Sequence, residues 1–295
     1  MSKHFSNRRG SVLLIVLFAM VGVLGMGAMV IDGGQLYFEA AKLQTAVDAA
    51  ALAGARTLAQ GVTPAHQLAV STAAQNGVAN NEIRVTVDSV ARTVTASAVR
   101  TVTFGLARVL GFESAPVSAR ATAGAYSVSG VRGLAPLGVI WQDFIMRQQY
   151  DLKVGARGTT GNYGALALGG TGSSNYRDNL MFGYNAMVRV NDLIPTEPGN
   201  ISGPTTEAIN WRLNNCTHNC TFENRVSGCT RVIMVPIING LPNGRGEVTV
   251  LGFASFFMEQ YFGDAFVRGR FIEMNIQGEV GPSGDYGVRT VKLSH

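Results

Sequence analysis

"SVLLIVLFAMVGVLGMGAMVIDGGQLYFEAAKLQTAVDAAALAGARTLA", residues 11–59, decides the fold, because it joins two kinds of helix with no break between them. Its first part, Ser11 to Ile31, contains neither a charge nor a proline. At ~1.5 Å per residue this run extends ~31 Å, against a bilayer hydrocarbon core of ~30 Å. A secretory signal has an apolar core of only ~7–15 residues and ends in a small-x-small cleavage site. Gly27-Ala28 and Gly33-Gly34 offer small residues for cleavage, but the run is longer than a signal core and passes straight into helix-forming sequence. We therefore read a retained, single-pass anchor in the lipid bilayer. Lys3, Arg8 and Arg9 precede it, so the positive-inside rule puts the N-terminus in the cytoplasm and the remainder outside it.

Beyond the span, Leu36, Ala40, Leu43, Val47, Ala50, Gly54 and Leu58 recur at spacings of three and four, a helical apolar stripe. Ala46, Ala50 and Gly54 lie four apart, as do Ala49 and Ala53, so small residues line two adjacent faces. Such faces let helix backbones approach closely and accumulate dispersion contacts. The stripe has two readings: a linker helix lying on its own domain, or a helix that joins a bundle of like helices, including copies of itself. Glu39 and Lys42 stand as an i,i+3 pair on the polar side.

Composition narrows the function classes. The formal net charge of +5 draws three of its charges from the first ten residues, so the pI near 9.3 does not point to nucleic acid. No basic-aromatic interleaving suggests a base-stacking surface either. Charged residues at 15% and 36 glycines indicate a loop-rich β body with tight turns.

A basic cluster, a glycine, an apolar span, then Asp32-Gly33, Leu43-Gln44 and the run from Asp48 to Ala53 resemble the N-terminal segment of the Tad (Flp) pilus-assembly family, the TadE/TadG-like proteins. The resemblance covers residues 9 to about 60, and the C-terminal third is similar to the C-terminal part of Gram-positive-type members. It implies a bacterial, membrane-anchored component of a tight-adherence pilus or secretion apparatus, whose partners are other components of that apparatus met through helix packing. Two departures stand out. Type IV prepilins carry a glutamate at the fifth position after the cleavage glycine, whereas the fifth residue after Gly10 is Ile15. The Asp-x-Ser-x-Ser pentapeptide of a von Willebrand A-type metal site is absent, so neither that domain nor its Mg²⁺ is expected.

The pattern predicts an α+β protein: a cytoplasmic basic N-terminus (1–10), a transmembrane helix (11–31), an Ala-rich helical stalk (32–60), a small α+β domain (61–127), a connector (128–149) and a Gly-rich, sandwich- or barrel-like β domain (150–295). Within 61–127, Thr63 and Pro64 are set to cap and open a helix running to Gly77. Residues 83–90 and 92–99 alternate as a hairpin, 104–112 form a short helix ending at Gly111, and 115–127 form a third strand. Arg84, Arg92 and Arg100 read as a solvated face. The glycine-dense stretch 158–184 lacks the lysine of a phosphate loop and any Gly-x-Gly-x-x-Gly, so its glycines are read as turn and close-approach positions. A short helix is expected from about Thr205, and long apolar runs after Arg231 read as buried strands, with a turn at Asn243-Gly244.

"NCTHNCTFENRVSGC" (215–229) holds the only cluster suggesting site chemistry: Cys216, His218, Cys220 and Cys229. Three sulfurs and one nitrogen could complete a tetrahedral Zn²⁺ shell. Outside the cytoplasm the competing uses are one disulfide, Cys220–Cys229 or Cys216–Cys229, with a spare thiol. Three Asn-x-Ser/Thr sequons, at Asn200, Asn215 and Asn219, accompany it and carry little weight in a bacterial protein. Catalysis finds no support: His4, His66 and His295 are scattered, and neither Gly-x-Ser-x-Gly nor His-Glu-x-x-His occurs. No cofactor is expected. Two classes remain: a structural, minor-pilin-like or scaffold subunit, or an anchored exported binding module or adhesin.

Overall fold

The computed structural model describes residues 9–153, 164–197, 201–262 and 266–294. Lys3, His4, Arg8, Asn200, His295 and the first part of the glycine-dense stretch lie outside them. The protein is α+β and divides into two compact units, Met1–Gly124 with Lys292–His295, and Ala125–Val291.

The first unit is built on α1 (Arg9–Thr57), a single helix of 49 residues. Most of its span half is exposed, with Leu13, Phe18 and Met29 among many exposed apolar side chains, while Ala28 and Asp32 are buried and core packing is dense from Leu43 onward. A 3₁₀ turn, Leu58–Gln60, leads to α2 (Val62–Gln75). This helix starts two residues before Pro64, with Gly61 at its N-cap instead of Thr63. Pro64 then sits in the first turn, where its missing N–H has no partner to lose. Ala65, Ala69 and Ala73 form the buried stripe of α2.

A hairpin follows, β1 (Ile83–Asp88) and β2 (Thr93–Thr103), paired from Ile83–Ala98 to Asp88–Thr93. Asp88 Oδ1 closes its turn by accepting the N–H groups of Val90 and Ala91. β3 (Ser114–Val131) pairs antiparallel with all of β2. The connection contains a 3₁₀ turn, Ala107–Leu110, in place of the regular helix expected, and Gly111 ends it at φ 92°. Val94, Ala96 and Ala98 are buried on β2, so a narrow helix meets a narrow strand face. Residues of the C-terminal tail return to this unit, where the Ser294 hydroxyl donates to the carbonyl of Thr122.

β3 leads into the second unit, which contains β4 (Val139–Ile140), β5 (Gln149–Lys153), α3 (Ser173–Phe182), β6 (Val188–Arg189), β7 (Leu193–Pro195), α4 (Ser202–Asn214), β8 (Val232–Ile238), β9 (Glu247–Tyr261), β10 (Phe266–Ile272), β11 (Met274–Asn275), β12 (Glu279–Val280) and the start of β13 (Val288–Ser294). Its main sheet runs β4-β8-β9-β10-β5, with β7 added to β9. Tyr176 and Leu180 of α3 and Ala208 and Ile209 of α4 share a core with Ile233, Phe256 and Phe271 of the sheet. Val131, Leu134, Leu166, Val250 and Phe253 form a second apolar cluster. β9 is buried without interruption from Gly252 to Met258, as its continuous apolar run predicts. Where its pairing with β10 shifts register, a Cβ at Gly269 would collide with the carbonyl oxygen of Phe257, so only glycine fits.

Candidate functional site

The residues singled out on the stalk are almost all consumed inside the first unit. Leu43, Ala46, Ala50 and Gly54 are buried, and Ala49 and Ala53 are half-buried. A Cβ at Gly54 would stand 2.8 Å from Val94 Cγ1 and 3.2 Å from Ala69 Cβ, so α2 and β2 of the same chain fill the small-residue face. Within this chain the face lies on its own domain, where Ala46, Ala50 and Gly54 are covered by neighbouring elements.

Contacts at the two ends of the packed half of α1 fix the direction of β2. Gly54 meets Val94, while Asp32 meets the loop that follows β2. The separation is 22 residues of helix, ~33 Å at 1.5 Å each, against 11 residues of strand, ~36 Å at 3.3 Å each. β2 therefore runs back along α1 toward the span, and the β2–β3 loop lies beside the point where the span ends.

Asp32 is the clasp at that point. Its side chain is buried, and it accepts N–H bonds from Gly105 (2.8 Å) and Ala107 (2.6 Å) at the entry to the 3₁₀ turn. These are charge-assisted bonds to backbone donors that the turn cannot satisfy internally. The requirement for a carboxylate immediately after an apolar span thus has a local cause. Leu106, between those donors, lies over the backbone of Gly27, 3.7 Å from where a Cβ would be. Gly33, the other half of the Asp-Gly pair, is exposed and open, and the structure gives no account of its presence.

One turn and more farther along, Arg100 of β2 gathers three elements. Its guanidinium donates to Glu39 of α1 (2.7 Å), to both oxygens of Glu82 (2.8 and 2.7 Å) and to the carbonyl of Gly77 (2.7 Å). Glu82 also accepts the N–H of Ala79. The hydrogen bonds from Arg100, followed by the Ala79 N–H, hold the Glu82 carboxyl down at about 2. Arg100 is therefore a structural cation and not part of a solvated face, while Arg84 remains exposed. Glu39 pairs with Arg100, and the chain of Lys42 lies instead across Gly77.

Gln44 and Asp48 line a shallow cleft of ≈ 250 Å³ with Arg120, Thr122, Leu293 and Ser294. Gln44 Nε2 donates to Asp48 Oδ1 at 2.8 Å and reaches toward the Arg120 carbonyl at 3.4 Å. The Leu-Gln and Asp-Ala positions thus divide between core, at Leu43, and a polar rim beside β3.

In the second unit Cys216, Cys220 and Cys229 bring their sulfurs within 4.8 Å of one another, with Cys216 and Cys229 at 3.7 Å. His218 does not join them; its Nδ1 faces the Thr217 hydroxyl at 3.3 Å. Burial pushes the Cys216 thiol up, but the N–H groups of Cys220 and His218 and the neighbouring thiols outweigh it, and the group settles at about 7. Burial and the adjacent Cys220 push Cys229 up to about 12. The loop is pinned by Arg212 of α4, a buried cation that donates to the carbonyls of Leu180, Thr230 and Val232 and has its pKa lowered to about 10 by desolvation. Sequence reasoning passed over Arg212, since nothing in its spacing distinguishes it from a surface arginine. It also missed α3, whose polar sequence is held by Asn175 and Asn179 donating to the Leu168 carbonyl and by Gly172 N–H donating to Glu197.

Comparison with known families places a name on the N-terminal segment alone. Residues 10–57 match the family of putative Flp pilus-assembly TadE/G-like proteins. That range holds the apolar span, Asp32 and the small-residue stripe, and it ends with α1. No curated protein and no solved structure matches the chain.

Proposed function

We propose that this chain is a membrane-anchored, extracytoplasmic structural component of a Tad/Flp pilus-assembly or secretion apparatus, acting as a minor-pilin-like or scaffold subunit. The observation that carries the reading is α1 itself. Its exposed apolar half is long enough to cross a membrane, and it continues without a break into a helix locked to the first folded unit. The match over residues 10–57 supplies the pilus-assembly context. Because α2 and β2 cover the stalk's small-residue face, contacts with partner helices fall to the exposed span, Val12 to Ile31, and to Tyr37 and Phe38 just beyond it. Lys3, Arg8 and Arg9 favour a cytoplasmic N-terminus and export of everything after the span. Such a role requires no catalysis, and we read the protein as a non-enzyme.

Intact-mass and N-terminal analysis of washed membranes and of sheared surface filaments tests the reading. A form beginning at Ser11 in filaments makes the chain a processed minor pilin, despite Ile15. An uncut form confined to membranes makes it a scaffold. An uncut form whose absence leaves filaments unchanged in number and length would remove the pilus role and leave an anchored binding module.

A further inference from the structure

The β2–β3 loop presents an apolar tip that the packing of the first unit does not use. Val109 is 76% exposed, Leu110 44% and Phe112 64%, three large apolar side chains within four residues. The same loop is tied to α1 at the end of its span by the Asp32 bonds to Gly105 and Ala107, and Leu106 lies over Gly27. Gly27 precedes Ile31 by four residues, which is ~6 Å of helix inside the apolar run. With the span in a bilayer, the loop is therefore level with the outer edge of the hydrocarbon. We propose that Val109, Leu110 and Phe112 insert into the outer interfacial layer of the membrane as a second, monotopic contact beside the span. This rests on the reading that residues 11–31 cross the membrane.

Depth, chemistry and attachment agree. Interfacial apolar groups sit ~5–10 Å into the headgroup–acyl boundary, which matches the level of Leu106 on α1. Arg108 stands among the apolar residues, where its long stem can lie along acyl chains with the guanidinium among lipid phosphates. The patch follows directly on Leu106, which lies against the span at Gly27, so lipid that surrounds the span reaches it. Asp32 fixes the insertion height, because it binds the loop's backbone and not a mobile side chain. The fold also supplies a control. Val90, at the turn on the other end of the hairpin, is 93% exposed but lies ~33 Å away along the ten steps of β2.

The test uses the full chain in phosphatidylcholine proteoliposomes, in a Trp141→Phe, Trp211→Phe background, with one tryptophan introduced at position 18, 112 or 90. Nitroxide-labelled lipid and aqueous iodide serve as quenchers. The Phe18→Trp protein reports the span and must be quenched by the lipid probe alone; if it is not, the spanning reading itself has failed. With the span confirmed, Phe112→Trp is expected to lose most of its emission to lipid nitroxides placed shallow in the acyl chain and little to iodide, while Val90→Trp shows the reverse. Quenching of Phe112→Trp by iodide, or shielding from both quenchers, would overturn the proposal, the second outcome meaning that protein covers the patch. The double variant Val109→Asp, Phe112→Asp in a Leu110→Trp protein gives an independent reading. Lipid quenching of the 110 indole should fall sharply, and its persistence would also count against insertion.

Discussion

At Gly54 the chain has no room for a side chain, since Val94 Cγ1, the Ala65 carbonyl and Ala69 Cβ all lie within 3.2 Å of where a Cβ would stand. Gly54→Leu is therefore expected to destabilise the first unit by about 1–3 kcal/mol or more, through overpacking. Thermal unfolding of the full chain would register it, whereas a defect seen only in assembly would contradict the packing. Asp32→Ala removes two charge-assisted bonds at the loop clasp, at a cost of about 1–2 kcal/mol. Hydrogen exchange should show it as faster exchange of the Gly105 and Ala107 amides, with the β1–β2 hairpin unaffected. Among the cysteines, Cys216 is the half-exposed one and its thiol lies at about 7, so in reduced protein it should alkylate first, at a rate rising through neutral pH. Cys216→Ser should abolish that fast phase; equal labelling of all three thiols would refute the environment described.

At the scale of elements, the first unit is a helix pair laid on a three-strand ribbon and locked by Arg100. Glu82 is held at about 2, below its ordinary 4.5, and the stability this contributes is complete above about pH 4.5 and lost as the pH falls toward 2. Acid titration of the melting temperature should therefore show a decline over that interval. Arg100→Ala should both lower the neutral-pH stability, by about 1–3 kcal/mol for the carboxylates left without a partner, and flatten the acid limb. A steep limb unchanged in the variant would assign the acid sensitivity elsewhere. Much of this ribbon was legible, because alternation along 83–99 and the α1 stripe follow directly from pleat and helix periods. The lock was not, since Glu39, Gly77, Glu82 and Arg100 meet only after the hairpin folds back over sixty residues of chain. The purpose of Asp32 was equally hidden: a motif marks the position, but its partners are backbone amides 73 and 75 residues away, which leave no trace in side-chain identity. The three cysteines are near in sequence and meet in space, while His218 lies against the Thr217 hydroxyl, a placement that spacing alone does not dictate.

Across the whole chain, one connection matters more than any single contact. The first unit is assembled from residues on both sides of the second, since Lys292 and its successors belong with Met1–Gly124 and Ser294 bonds to Thr122. The second unit is thus an insertion between β3 and the end of β13 and carries its own apolar clusters. Order of synthesis gives this arrangement a temporal meaning. The span, stalk and hairpin leave the ribosome first, yet the tail strand that lies beside β3 is translated only after every residue of the insertion. A nascent chain held before Lys292 would lack the strand end whose Ser294 meets the Thr122 carbonyl, and would leave that edge of β3 open to any strand that reaches it. Completion of the first unit therefore waits on synthesis of the whole of the second.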